Sequence, residues 1–229
     1  DLITGVNGKP FQKAHINGYG MDKFGPQGPI QEFADHLDSA QSSRNNGRLS
    51  LTILRDGKTL AVALQVSTKY GSYSSDYPSD DKKSALVTKE LLKYLCDQQK
   101  PDGSFGNEVE NLWAPLALMA SGSKTHMYRV KKNVYYQAKI TQATDRNSGL
   151  VNWKYMTGAI VLSEYYLKTK DKKILSELQE IYDFLYHSQY VKMSQINKKG
   201  PLGNPKRPNP KNEKKAHGGW GHNPGYEGY

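Results

Sequence analysis

Few residues in this sequence have a type and spacing suited to catalysis. Asp80 and Asp81 end a Tyr-Pro-Ser-Asp-Asp run, and two neighbouring carboxyl groups can act as a general acid and a general base. The run stands just before a helical pattern, where carboxylates usually cap the helix or remain in water. We therefore predict structural aspartates here and no catalytic residue.

The cysteine and histidine content argues against a metal site. A zinc site needs three or four converging ligands. Cys96 is the only cysteine, and His217 and His222 lie five residues apart in a glycine-rich loop. The sequence therefore predicts no metal, no cofactor and no internal disulfide. Cys96 follows Leu95 in a helical pattern and is expected to be a structural thiol.

Aromatic residues are the remaining candidates for ligand contact. Trp113, Trp153, Trp220, Tyr226 and Tyr229 could line a concave face that suits a sugar or a peptide. Large aromatic side chains more often pack helices together. Both interpretations stay open from the sequence alone.

The charge of the chain is concentrated near its end. The net charge of +10 over 229 residues divides into +2 for residues 1–70, +2 for residues 71–190 and +6 for residues 191–229. This last excess lies in a Pro/Gly/Asn-rich stretch typical of a solvated insertion, so we do not expect nucleic-acid binding. No apolar run approaches the roughly 20 residues of a membrane span. No basic-then-apolar leader follows Asp1, so any targeting segment is expected to have been removed or to lie outside this sequence.

The first segment has the order strand, helix, hairpin. A short apolar run ends in Asn7-Gly8, the dipeptide that best accepts a tight turn. Residues 30–40 carry one helical stripe of apolar side chains. Two β-type runs at 49–54 and 59–66 then flank an Asp-Gly turn, which predicts a hairpin.

The run D-L-I-T-G-V-N-G-K-P-F, the helix, and L-T-I-L-R-D-G-K-T-L together resemble the second half of a bacterial PDZ domain over residues 1–69. PDZ domains bind an extended peptide between an edge strand and a helix. The resemblance implies that residues 29–42 form the groove helix and that the insertion 12–27 could fold over or block the groove. The family's carboxylate-binding loop and the strand after it are expected before Asp1, so either they precede this sequence or the groove is incomplete. The alternative is a spacer or docking domain. The groove residues implied are Ile30, Phe33, Ala34 and Leu37.

The second segment is predicted to be all helical after a linker at 70–83. Its apolar period changes from 2 to 3.6, and Asn107 with Glu110 forms a capping signature. Asp171 is a candidate N-cap for the last helix. The predicted helices are 84–99, 108–120, about 125–142, about 151–168, and a fifth that follows Asp171.

A turn motif occurs twice in this segment. A glutamine near the end of one helix can bond to the following turn, a glycine allows positive φ, and an aromatic residue is wedged where the next helix starts. The two copies are Gln99, Gly103, Phe105 and Gly106, then Gln189, Gly218, Trp220 and Gly221. The second copy holds the basic insertion 190–217.

These motifs resemble the Gln/Trp repeats of α/α-toroid families, which include terpenoid cyclases, protein prenyltransferases and some polysaccharide lyases. The resemblance covers residues 84–229 and implies an incomplete toroid. The cyclase Asp-x-Asp-Asp and Asp-Cys-Thr-Ala-Glu motifs and the zinc ligands of the prenyltransferases do not occur in it. The combination of a PDZ domain with such repeats resembles an uncharacterised bacterial family that is usually exported.

The sequence therefore predicts an α+β protein of two domains, a PDZ-like domain and an α/α-toroid-like helical domain. We expect a non-catalytic peptide- or protein-binding or scaffold protein outside the cytoplasm. A carbohydrate-active toroid enzyme with catalytic residues partly outside this sequence is the alternative. A peptide or protein is the expected partner, and a glycan is the second.

Overall fold

A computed structural model describes residues 1–13, 28–143, 149–195 and 214–224. The chain divides into two compact units, residues 1–91 and 92–229. The mixed α+β class is confirmed, with a small antiparallel sheet in the first unit and helices in the second. Among the described residues, no helix is both long and apolar enough to cross a membrane.

The first unit contains a four-stranded antiparallel sheet of order β2-β1-β3-β4. Both predicted turns are present: Asn7-Gly8 and Asp56-Gly57 have positive φ at each residue, as a type I′ turn requires. Alternate residues of β3 point to the core beneath helix α1. The elements are β1 (Leu2–Val6), β2 (Lys9–Pro10), α1 (Pro29–Gln41), β3 (Arg48–Arg55) and β4 (Lys58–Gln65).

The segment predicted to be a linker is bonded to helix α1. The Lys83 ammonium donates to the Asp38 carboxylate at 2.5 Å and to Gln41 Oε1 at 2.8 Å. It also lies 4.4 Å from the centre of the Tyr73 ring, and the Tyr73 amide donates to Asp38. Asp81 accepts the amide N–H groups of Ser74 and Ser84. These bonds order the segment within the first unit, which extends to residue 91.

The predicted helices are confirmed in the second segment. The predicted capping box is present, since Asn107 accepts from Val109 and Glu110 amides and Glu110 accepts from the Asn107 amide. Asp171 caps a 3₁₀ turn, Lys172–Ile174, that leads into the last helix. The helices are α2 (Lys82–Gln98), α3 (Glu108–Ala120), α4 (Lys124–Ala143), α5 (Val151–Thr169) and α6 (Leu175–Ser188), followed by a second 3₁₀ turn (Met193–Gln195).

Helices α3 and α5 run parallel and in constant register. Thr157 Oγ1 donates to the Glu108 carbonyl, and Lys168 Nζ donates to the Met119 carbonyl; both pairs are 49 residues apart. Helix α4 packs against both, and α6 packs against α5. Each amphipathic helix thus buries its apolar stripe against its neighbours. Fully buried members of this core include Leu118, Val130, Val134, Val161 and Leu162.

Candidate functional site

The two copies of the turn motif make the same glutamine bond. Gln99 Nε2 donates to the Gly103 carbonyl at 3.0 Å, and Gln189 Nε2 donates to the Gly218 carbonyl at 2.8 Å. Both glycines have positive φ, 97° and 83°. The shared chemistry fixes the turn that follows a helix in both copies, and in the first copy this turn leads into α3.

The aromatic residues of the motif differ in their surroundings. Phe105 is buried at the start of α3 and belongs to the helical core. Trp220 is about half exposed, and its indole N–H donates to the Leu185 carbonyl of α6 at 2.7 Å. The ends of the insertion meet, because Tyr190 and residues 218–219 exchange backbone hydrogen bonds. Residues 196–213 of that insertion lie outside the described residues.

A buried polar network ties the first turn to helix α4. Asn133 Nδ2 donates to the Gly103 carbonyl and to Asn111 Oδ1, and Gln137 Nε2 donates to the Asn111 carbonyl. Asn111 Oδ1 also accepts the Phe105 amide. A Cβ on Gly103 would lie 2.5 Å from the Lys132 carbonyl oxygen, so the glycine permits the close approach. The turn and α4 are therefore held at a fixed separation.

This arrangement forms a groove between the turn and the solvent side of α4. We call it the tyrosine–lysine groove. Its volume is about 620 Å³, within the usual range of ligand sites. The side chains from α4 recur at three- and four-residue spacing and so share one face of the helix. The lining residues are Pro101, Asp102, Tyr128, Lys131, Lys132, Tyr135, Tyr136, Lys139 and Ile140.

The groove is basic and aromatic. Its lining has three lysines and one aspartate, and none of these lysines forms a salt bridge with a described carboxylate. Lys131 Nζ lies 5.7 Å from the Tyr135 ring centre, and Lys132 Nζ lies 5.4 Å from the Tyr128 ring centre. Lys131 also acts electrostatically on Asp171 and helps to lower the pKa of that carboxyl, but no direct ion pair among the described residues holds the groove lysines.

The acidic and phenolic groups at the groove keep their usual charge at neutral pH. The Ser104 amide and hydroxyl donate to the Asp102 carboxylate and lower its pKa. Burial raises the pKa of Tyr136, and the nearby Asp102 carboxylate raises it further. Burial and the Asp171 carboxylate raise the pKa of Tyr135, whose hydroxyl donates to Asp171 at 3.3 Å. The groove therefore presents the neutral hydroxyls of Tyr135 and Tyr136 and the ionised carboxylate of Asp102.

Comparison with known proteins identifies one family. A family model described as "Domain of unknown function (DUF6288)" matches residues 84–218. The chain belongs to the DUF6288 family. No curated protein and no solved structure matches the chain. The DUF6288 match contains the whole tyrosine–lysine groove and the residues that fix it.

This groove is not among the sites that the sequence predicts. Within the DUF6288 region, Met127, Val130, Val134 and Ala138 predict only the apolar face of α4. The opposite face carries a stripe of tyrosines and lysines, beginning at Tyr128, at the same spacing. That stripe was the available signal, but charged helical stripes usually face solvent without a ligand.

The three tryptophans of the DUF6288 chain are all partly exposed, at 64% for Trp113, 44% for Trp153 and 45% for Trp220. Trp153 Nε1 donates to His222 Nδ1 at 2.8 Å. Trp113 lies near the middle of α3, and Trp153 lies in the first turn of α5. Tyr226 and Tyr229 lie outside the described residues.

The four residues expected to line a PDZ-like groove lie on two sides of α1. Phe33 and Leu37 are half-buried and pack against the core of the first unit. Ile30 is 68% exposed, and Ala34 is also exposed. Strand β4 is the last in the sheet order, and most of its side chains are exposed. Residues 14–27 of the insertion expected over the groove lie outside the described residues.

The described residues contain no metal-binding group of three His, Cys, Asp or Glu side chains. Asp81 caps the start of α2: burial favours a higher pKa, but the Ser74 and Ser84 amides outweigh burial and lower the Asp81 pKa to about 2. Burial raises the pKa of the Cys96 thiol, which disfavours a reactive thiolate. The buried Glu177 carboxylate accepts from the Thr141 hydroxyl, and its other oxygen has no described partner.

Proposed function

We propose that this DUF6288 protein is a non-catalytic binding or scaffold protein whose helical unit holds an extended peptide segment of a partner. The tyrosine–lysine groove carries the proposal. It combines ring faces, phenolic hydroxyls and ammonium groups in about 620 Å³. Exposed tyrosines contribute contact area at a low cost in side-chain entropy, which is a common feature of protein-binding surfaces.

The fixed geometry of the groove supports binding. One wall is the turn at Pro101 and Asp102, and the other is helix α4. The network through Asn111, Asn133 and Gln137 joins the two walls beneath the surface. A preformed groove loses little conformational entropy when a ligand binds, so more of the contact energy appears as affinity.

The carboxyl groups give less support to the alternative of a carbohydrate-active enzyme. Glycoside hydrolysis uses two carboxyl groups that face the same bond. Among the described residues, Asp81 and Glu177 are the buried carboxyl groups. Asp81 caps a helix in the first unit, and Glu177 lies in the second unit against Thr141. Neither lines the tyrosine–lysine groove.

The proposal extends to the fold type of each unit. We propose that the first unit is PDZ-like and offers β4 as an edge for strand addition, supported by the terminal place of β4 in the sheet. We propose that the second unit is α/α-toroid-like, supported by the parallel α3 and α5 with α4 packed on both. A location outside the cytoplasm rests on the sequence resemblance alone.

A display library of random extended peptides and an array of glycans would test the proposed function. The groove variant is Tyr128→Ala, which removes a ring that is 61% exposed. Tyr94→Ala on α2 is the matched control, since Tyr94 is 58% exposed and lies outside the groove. We expect captured peptides to bind Tyr128→Ala about tenfold more weakly and Tyr94→Ala unchanged.

The proposal would be wrong if the intact chain captured glycans and no peptide. It would also be wrong if captured peptides bound both variants as tightly as the unmodified chain, because the groove would then make no contribution. Circular dichroism of both variants controls for folding.

A further inference from the structure

The charges of the tyrosine–lysine groove are arranged at two positions along α4. Lys131 and Lys132 lie near one end, and Lys139 lies seven to eight residues further along. At 1.5 Å per residue this separates the two positive positions by about 11 Å. Tyr135 and Tyr136 lie between them along the helix and line the groove.

The groove also carries negative charge at fixed places. Asp102 forms part of the wall, and Asp171 accepts the Tyr135 hydroxyl. The Ser104 amide lowers the pKa of Asp102, and the Lys173 amide lowers the pKa of Asp171, so both remain ionised at neutral pH. A uniformly charged polyanion would place negative groups beside these carboxylates and be repelled. A ligand with separated negative groups avoids this cost.

An extended peptide can satisfy this spacing. Residues i and i+4 of an extended chain point to the same side and lie about 13 Å apart. That distance is within about 2 Å of the roughly 11 Å between the lysine positions, and the flexible lysine side chains can span the difference. Of the three residues between two such acidic residues, only the one at i+2 would direct its side chain into the groove, towards Tyr135 and Tyr136, while i+1 and i+3 would point away.

We infer that the tyrosine–lysine groove recognises an acidic peptide in extended conformation, with two carboxylate side chains four residues apart. One carboxylate pairs with Lys131 and Lys132, and the other pairs with Lys139. This inference rests on the proposed function, because it names the chemical class of the peptide that the groove holds. The contacts are partly exposed, so each lysine contributes modestly and the binding weakens with salt.

Fluorescence anisotropy of the intact chain with labelled nine-residue peptides would test this inference. The peptides contain Ser, Thr and Val with two aspartates either four or three positions apart, and a third has asparagine in place of both aspartates. The four-apart peptide should bind at least about tenfold more tightly than the asparagine peptide. The three-apart peptide should bind more weakly than the four-apart one, because its carboxylates point to opposite sides.

Variants with one lysine replaced test whether the peptide binds in the tyrosine–lysine groove. Lys131→Gln and Lys139→Gln should each weaken the four-apart peptide about fivefold. Lys89→Gln, at an exposed lysine of α2 outside the groove, should leave the affinity unchanged. Both groove substitutions are at exposed positions, so the fold should be retained.

The outcomes separate this inference from the proposed function. Equal affinity for the aspartate and asparagine peptides, with both bound in the groove, would overturn the acidic specificity and leave peptide binding intact. The acidic-peptide inference and the proposed function would both be overturned if no peptide bound, while a uronic acid oligomer or a single-stranded oligonucleotide bound and lost affinity in the groove variants.

Discussion

Replacing Gly103 by alanine should separate the turn from helix α4. The glycine has φ 97°, where a residue with a side chain costs about 1–2 kcal/mol. The new Cβ would also lie 2.5 Å from the Lys132 carbonyl oxygen, so the backbone must move. Gln99 and Asn133 both donate to the Gly103 carbonyl, and weakening two such bonds adds about 1–2 kcal/mol. We expect Gly103→Ala to destabilise the helical unit by about 3 kcal/mol.

Gly122→Ala is the matched control for Gly103→Ala. Gly122 also has positive φ, 68°, but a Cβ there would meet nothing within 4 Å. It therefore carries the backbone strain without the close contact, and we expect a loss of about 1 kcal/mol. The difference in destabilisation between the two variants measures the cost of the close contact between the new Cβ at position 103 and α4.

Tryptophan fluorescence during urea unfolding is the appropriate assay. The three tryptophans, Trp113, Trp153 and Trp220, all lie in the second unit, so the signal reports that unit alone. A difference of about 2 kcal/mol between the variants shifts the urea midpoint by about 1 M. Equal destabilisation by Gly103→Ala and Gly122→Ala would refute the argument that Gly103 permits the close contact.

Three further changes test other parts of the structure. Asn107→Ala removes the capping box and should cost the helical unit about 1 kcal/mol in the same urea assay; an unchanged midpoint would contradict the cap. The folded pKa of Asp81, about 2, lies below its ordinary 3.8, so its stabilising effect is present above about pH 4 and lost as the pH falls through 2. Asp81→Asn should therefore lower the urea midpoint of the first unit at pH 5 but not near pH 2, with unfolding followed through the amide signals of β3. A difference in midpoint between variant and unmodified chain that stayed the same at both pH values would contradict this role of Asp81. Glu177→Leu should leave the helical unit as stable or up to about 1 kcal/mol more stable, because one carboxylate oxygen is buried without a described partner; a loss above about 2 kcal/mol would point to a missing partner.

The local elements could be predicted from the sequence because their signals are local. Asn7-Gly8 and Asp56-Gly57 specify tight turns through the positive φ that these residues tolerate. The Asn107 and Glu110 pair marks the start of α3 through bonds between residues three apart. Such signals need no information about tertiary packing.

The groove depends on contacts that one sequence does not reveal. Asn111, Asn133 and Gln137 look like ordinary polar helix residues, yet they are buried and meet across two helices and a turn. Their pairing places the turn at Pro101 and Asp102 beside the tyrosines of α4. The bonds from the predicted linker, residues 70–83, to Asp38 likewise join residues more than 30 apart, so the sequence does not reveal them.

A titration of the ¹⁵N-labelled intact chain with peptides selected from the display library tests the central claim most directly. If the tyrosine–lysine groove holds the peptide, the largest shifts in amide signals should fall on Asp102 and on α4 from Tyr128 to Ile140, and Tyr128→Ala should reduce them. The largest shifts at Trp113 or Trp153, with α4 unaffected, would contradict the account and move the ligand site to the exposed tryptophans.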